Sequence, residues 1–182
     1  MSQIQDAPFR LSIVSTGGTI EKTYSSHNGS MVNDRSVLDL LLGDLELSRI
    51  TIDRSSVCNK DSLEMSPADH ESIVEAVSGL VGTSDGVLVV HGTDRLAVTG
   101  ELLHERMVQA GGWPVPVVLT GAMRPYELRA SDALQNVTES ILATQILPPG
   151  VYCVLHSKVL RFPGVVKDVE KGTFTVAGSD TR

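Results

Sequence analysis

Residues 85–94 read DGVLVVHGTD. The run from Asp85 to His91 is short, apolar and β-branched, which is the signature of a strand buried on both faces. Gly92-Thr93-Asp94 breaks that run and sets a hydroxyl beside a carboxylate. Leu102, Leu103 and Met107 then take up helical spacing, which stops at Gly111-Gly112. The helix should open at Asp94 or a neighbour, since threonine and aspartate both serve as N-caps.

The same alternation continues on either side. Upstream, Phe9 to Ser15 (FRLSIVS) reads as a strand ended by Gly17-Gly18, and Arg49 to Arg54 (RITIDR) reads as another. Downstream, Val115 to Thr120 (VPVVLT) and Val151 to Leu155 (VYCVL) are clearer strands. A short helix is predicted from Asp34 to Leu42, stopping at Gly43. Ser66-Pro67 places a cap and a first-turn proline ahead of Ile73, Val74, Val77 and Leu80. Ser131 or Asp132 opens a further helix through Leu134, Val137, Ile141 and Leu142, ending before Pro148-Pro149. From Ser157 onward, short strands or loops are expected. Strand alternating with helix implies right-handed βαβ crossovers. The expected fold is α/β, a doubly wound parallel sheet of Rossmann or flavodoxin-like type, in a single domain spanning residues 1–182.

Composition agrees. The 182 residues are 41% hydrophobic and 20% charged, the balance of a soluble domain, and at 4% aromatic the core must be aliphatic. A formal charge of −7, with scattered lysines and arginines, argues against nucleic acid and anionic membrane surfaces. The two cysteines, Cys58 and Cys153, form no C-x-x-C pair, so neither a metal site nor a disulfide framework is expected. The N-terminal residues Met1 to Arg10 carry no basic-then-apolar leader, and no apolar stretch approaches membrane length. A cytoplasmic location follows as the expectation.

In doubly wound sheets, ligands bind beyond the carboxyl ends of the strands. Four such places carry chemistry. Ser15-Thr16-Gly17-Gly18-Thr19-Ile20 offers two glycines, for close backbone approach, between two threonines. It matches neither a phosphate-binding P-loop nor a dinucleotide fingerprint. The second place is His91-Gly92-Thr93-Asp94. The third, Thr120-Gly121-Ala122-Met123-Arg124-Pro125, is built of small residues. The fourth is the polar stretch Asn59 to Met65, with Ser62 within it. Hydroxyls thus gather at separate strand ends without a histidine-based triad. A hydroxyl nucleophile without histidine needs another base, a lysine or tyrosine, and Lys167 and Tyr24 are the candidates.

Read in order, Thr16-Gly-Gly-Thr19-Ile20, Val90-His-Gly-Thr93-Asp94 and Thr120-Gly-Ala-Met-Arg-Pro125 followed by Ser131-Asp132 resemble the signatures of the bacterial-type L-asparaginase family. The resemblance covers essentially the whole chain but only that family's N-terminal domain; its C-terminal domain is expected to be absent here. It implies hydrolysis of L-asparagine to L-aspartate and ammonia, with no metal or organic cofactor. Thr19 would be the primary nucleophile on a closing loop (Thr19 to Gly29, with Ser25-Ser26 and Asn28-Gly29), and Tyr24 its partner. Thr93, Asp94 and Lys167 would form a threonine–aspartate–lysine triad. Ser62 and Asp94 would hold the substrate's α-carboxylate and α-amino groups, Gly18 would let backbone approach it, and the Ala122 carbonyl would receive the side-chain amide. Leu63 stands where relatives often carry a polar residue. A homo-oligomer, dimer or tetramer, is implied. Two alternatives stand beside this reading: an inactive module that binds asparagine or aspartate, and an amidohydrolase acting on glutamine or another amide.

Overall fold

The computed structural model describes residues 7–27, 29–33 and 36–178. Six strands form one sheet: β1 (Phe9–Gly17), β4 (Ile50–Lys60), β5 (Gly86–Val90), β6 (Pro116–Thr120), β7 (Gly150–Leu155) and β8 (Lys158–Arg161), in the order β4-β1-β5-β6-β7-β8. The first five are parallel, and β8 pairs antiparallel with β7 at the edge. Two hairpins accompany the sheet, β2 (Thr23–Ser25) with β3 (Ser30–Val32), and β9 (Val165–Asp168) with β10 (Thr173–Val176).

Four helices cover both faces: α1 (Leu38–Gly43), α2 (Pro67–Leu80), α3 (Leu96–Gln109) and α4 (Ala133–Ile146). Side chains along a strand alternate between faces, so the central strands feed two cores. Val87 and Val89 join Ile73, Val74, Val77, Leu96 and Leu103 of α2 and α3 on one side. Leu88 and Val90 join Leu38, Leu41, Val137 and Ile141 of α1 and α4 on the other. This double cover explains why β5, β6 and β7 are apolar without interruption. Among the described residues no helix is long and apolar enough to cross a membrane.

Several predicted boundaries move. The helix expected from Asp34 begins at Leu38, and Asp34 itself lies outside the described residues, as do residues 1–6 of the predicted leaderless N-terminus and Asn28 of the predicted closing loop. The remainder of that loop contains β2, whose partner strand β3 begins just beyond it at Ser30. The strand expected to end at Arg54 runs on to Lys60, paired with β1 through Ser55 and Ser56. Ser66 caps α2 as predicted, in a reciprocal box with Asp69. Asp94 and Thr93 do not cap α3; Arg95 occupies the cap position without a side-chain bond. Their side chains are engaged elsewhere.

The connection from β1 runs outward to β4 on one side and that from β5 outward to β6 on the other, so the strand order reverses between β1 and β5. A crevice at the carboxyl ends of those two strands is where this architecture places a ligand.

Candidate active site

Gly18 follows β1 at φ 80, a left-handed conformation that favours glycine. A Cβ there would lie 2.4 Å from the Gly92 Cα and 2.5 Å from its nitrogen, so the ends of β1 and β5 touch backbone to backbone. Gly92 in turn leaves room for Ser62: a Cβ on it would meet the Ser62 Oγ at 2.5 Å. The two glycine-bearing turns and the Ser62 turn are thereby pressed into one place. Thr19 opens the 3-10 turn Thr19–Glu21, directly beside this contact.

Lys167, on β9, reaches across the mouth of the crevice. Its Nζ donates to Thr93 Oγ1 at 2.9 Å and to Asp94 Oδ1 at 2.8 Å. Its side chain is 19% exposed and that of Asp94 38%, so the pair is shielded but reachable from solvent. Thr93 is buried. Three residues singled out in sequence from two distant segments therefore meet as one hydrogen-bonded unit.

Ser62 is 1% exposed, and its Oγ has no hydrogen-bond partner among the described residues. A buried hydroxyl without a partner costs about 1–3 kcal/mol, which makes a ligand group an apt partner. Leu63 beside it is exposed. Asp61 fixes this turn by accepting the Leu63 N–H at 3.0 Å and the Lys22 Nζ at 2.6 Å. The Lys22 ammonium, then the Leu63 amide, hold the Asp61 carboxyl below the ordinary carboxylate range. The Lys22–Asp61 pair ties the turn bearing Thr19 to the turn bearing Ser62. Sequence reading missed it, because two exposed-looking charges in separate loops give no local signal.

Ala122 lies buried just past β6. The Gly121 carbonyl accepts from Asn136 Nδ2 at 2.9 Å, while the Met123 and Arg124 N–H groups donate to Asp132, each at 3.0 Å. The Ala122 carbonyl sits between these clamped neighbours. Burial pushes the Asp132 carboxyl up, but the Met123 amide, His156 and the Arg124 amide together outweigh it, and the net direction is down.

Tyr24 is placed differently. It lies on β2, 58% exposed, and its N–H donates to Glu127 Oε2 at 2.6 Å. Among the described residues its hydroxyl and that of Thr19 are not hydrogen-bonded to each other. The ring instead lines a cavity of about 530 Å³ beneath the hairpin, shared with Ser36, Val37, Tyr126 and Glu127.

His91, which directly follows β5, is fully buried. Its Nδ1 bonds the Gly92 carbonyl at 2.8 Å and its Nε2 meets Thr99 Oγ1 at 2.8 Å, which also meets His70 Nδ1 at 2.8 Å. A carbonyl only accepts, so His91 carries its proton on Nδ1, and Thr99 donates to Nε2. Burial pushes the His91 imidazole down to about 4; the Gly92 bond opposes this, and the His70 charge adds to it. In the unfolded chain a histidine titrates near 6.5. Between those values the unfolded state binds more protons, so stability falls as pH falls. Denaturant midpoints should show a loss of about 2 kcal/mol between about pH 7 and about pH 5 from this group. A His91 ring resonance titrating near the unfolded value would contradict this.

Known proteins share this arrangement of elements. The solved thermostable L-asparaginase from Thermococcus kodakarensis superposes with a TM-score of 0.81 at 29% identity, over 94% of this chain and 52% of that one. A probable cytoplasmic L-asparaginase from Campylobacter jejuni gives 0.72 at 25% identity, over 92% of this chain and 51% of that one. In sequence, the L-asparaginase of Thermococcus kodakarensis is 31% identical over 153 residues, 83% of this chain and 45% of that protein. A subunit of the glutamyl-tRNA(Gln) amidotransferase of Aeropyrum pernix is 32% identical over 158 residues, 85% of this chain and 36% of that protein. The chain spans about half the length of these solved relatives and less than half that of the curated ones. Residues 10–174 match the family described as asparaginase, N-terminal. This chain belongs to the asparaginase family, through that family's N-terminal domain.

Proposed function

We propose that this chain is an amidohydrolase that converts L-asparagine to L-aspartate and ammonia by threonine nucleophilic catalysis. The observation that carries the reading is the Lys167 Nζ held between Thr93 Oγ1 and Asp94 Oδ1. A hydroxyl becomes a nucleophile only with a proton acceptor at hydrogen-bond distance, and as the neutral amine Lys167 would be such an acceptor, oriented by Asp94.

The reaction is a double displacement. A threonine oxygen attacks the carboxamide carbon, ammonia departs, and water cleaves the resulting β-aspartyl ester. Lys167, in its deprotonated form, takes the Thr93 proton while Asp94 keeps the amine in place. Thr19 is the second threonine at the crevice, and Tyr24 would serve it once the hairpin closes. Backbone N–H groups at the Thr19 and Thr93 turns would stabilise the oxyanion, one such donor being worth about 3–4 kcal/mol. The unpartnered Ser62 Oγ suits the α-carboxylate, Asp94 the α-amino group, and the Ala122 carbonyl the amide N–H, with Gly18 letting backbone close on the substrate. No metal or organic cofactor enters this chemistry. A cytoplasmic homo-oligomer remains part of the proposal; the free thiols of Cys58 and Cys153 suit a reducing compartment, and a symmetric partner would cover the β4 edge.

A second reading is glutamine as the amide, favoured by relatives named as amidotransferase subunits at comparable identity. Ammonia release from L-asparagine and L-glutamine, measured side by side, decides between them. A one-methylene difference is discriminated by about 1–3 kcal/mol. The expected result is a kcat/KM for asparagine at least about tenfold above that for glutamine. The reverse preference would move the assignment to glutamine.

A further inference from the structure

Only two residues, His156 and Ser157, join β7 to β8, at φ 54 and φ 60. A tight hairpin with both central residues left-handed is ordinarily made by Asn-Gly, and histidine and serine run against that preference. Such strain persists only where the surroundings over-determine it. Ser157 is anchored to Glu139 through its N–H at 2.8 Å and its hydroxyl at 3.0 Å. The His156 N–H donates to Asn136 Oδ1 at 3.1 Å, and its ring lies between Asp132 and Thr173.

The direction of the ring's bonds follows from its neighbours. Lys158 can only donate and an ionised Asp132 can only accept. Lys158 Nζ therefore donates to Thr173 Oγ1 at 3.4 Å and His156 Nε2 donates to Asp132 Oδ2 at 2.8 Å, while Thr173 Oγ1 and His156 Nδ1 bond at 3.4 Å. The same Asp132 receives the Met123 and Arg124 amides and Asn136 Nδ2, the last at 2.8 Å.

The two ends of this chain of bonds belong to two different segments of the site. One end clamps the segment that presents the Ala122 carbonyl. The other holds Thr173, the first residue of β10, in a hairpin where Phe174 lies opposite Lys167. We propose that His156 is a positioning residue that fixes the Lys167 hairpin relative to the Ala122 carbonyl. The inference rests on the amide-hydrolysis reading, in which base and amide acceptor must share one frame. His156 touches no reacting atom.

The test uses His156→Asn, which tolerates the left-handed turn but cannot bridge Asp132 and Thr173, and Thr173→Val, which breaks only the hairpin end. Two readouts are compared with wild type: steady-state kinetics with L-asparagine, and the NMR signals of the Met123 and Arg124 amides and the Lys167 Nζ. A misplacement distant from the chemistry can cost up to about a hundredfold. For His156→Asn, kcat should fall by about tenfold or more, with KM within about twofold because Ser62 is untouched. The amide and Lys167 signals should shift together. In Thr173→Val, the Lys167 signal should shift while the amides stay in place. Lowered thermal stability with kcat and the Lys167 signal unchanged would overturn the proposal. If wild type releases no ammonia, the amide-hydrolysis reading fails. The NMR comparison still decides the coupling, since in His156→Asn a shift confined to one side refutes it and a joint shift supports it.

Discussion

Lys167→Met is expected to lower ammonia release from L-asparagine about a thousandfold, in the middle of the range for a lost general base. Methionine keeps an aliphatic stem of similar length in a side-chain site that is 19% exposed, so packing should survive. The substitution removes the acceptor for the Thr93 proton and leaves Asp94, which is open enough to be solvated, without its cation. A purely structural tether would predict something else. Lys167→Arg separates the two roles: the guanidinium can still pair with Asp94, but it does not give up a proton and cannot act as a base. The arginine variant should therefore be as inactive as the methionine variant while keeping wild-type stability. Activity retained in Lys167→Arg would show that the charge, not the base, is what matters.

Gly18→Ala should produce the largest loss of stability, about 3 kcal/mol or more, together with loss of activity. A left-handed alanine costs about 1–2 kcal/mol by itself. The larger part comes from the methyl group's position 2.4 Å from the Gly92 Cα, against backbone that has no rotamer to change. Relief requires the ends of β1 and β5 to separate, which moves Thr19 away from Thr93. Gly29→Ala is the control. Gly29 is also left-handed, at φ 66, but nothing lies within 4 Å of its would-be Cβ, so only the backbone cost of about 1–2 kcal/mol remains. The denaturant midpoint of Gly18→Ala should fall well below that of Gly29→Ala, since the Gly18 backbone conformation at φ 80 and ψ −173 is essentially confined to glycine and the clash adds to that cost. Equal midpoints would mean that the strand ends have room that the geometry denies them.

The parts of this fold that were legible in sequence are those with one physical demand. Strands β5, β6 and β7 are covered on both faces, so they must be apolar throughout, and their runs were plain. The start of α2 was legible because Ser66, Pro67 and Asp69 satisfy its orphan amides locally. The second half of β4 was not legible. It is an edge strand in which Ser55, Ser56, Asn59 and Lys60 interrupt the apolar pattern, and only its pairing with β1 makes it a strand. The β2–β3 hairpin is three residues on each side, too short and polar for any period to register.

The candidate site divides the same way. Thr93, Asp94, Ser62 and Ala122 lie where strands or their turns end, and the doubly wound architecture brings such ends together. Lys167 comes from an appended hairpin, and its arrival at Thr93 could be expected only from the family resemblance. The Lys22–Asp61 latch and the Asp132–His156–Thr173 chain depend on how turns fold back on one another, which no local pattern encodes. For Tyr24, the family resemblance implied a partner for Thr19, whereas in the structure it is held to Glu127 through its backbone N–H and lines the hairpin cavity.

The most direct test of the central claim is turnover of L-asparagine in the presence of hydroxylamine, in wild type and in Thr19→Ala and Thr93→Ala. A threonyl ester of aspartate is intercepted by that nucleophile, which gives β-aspartyl hydroxamate alongside the released ammonia. Wild type should form both products, and each threonine variant should lose them. Saturable asparagine binding with neither ammonia nor hydroxamate would contradict the account and leave a domain that binds the amino acid without cleaving it.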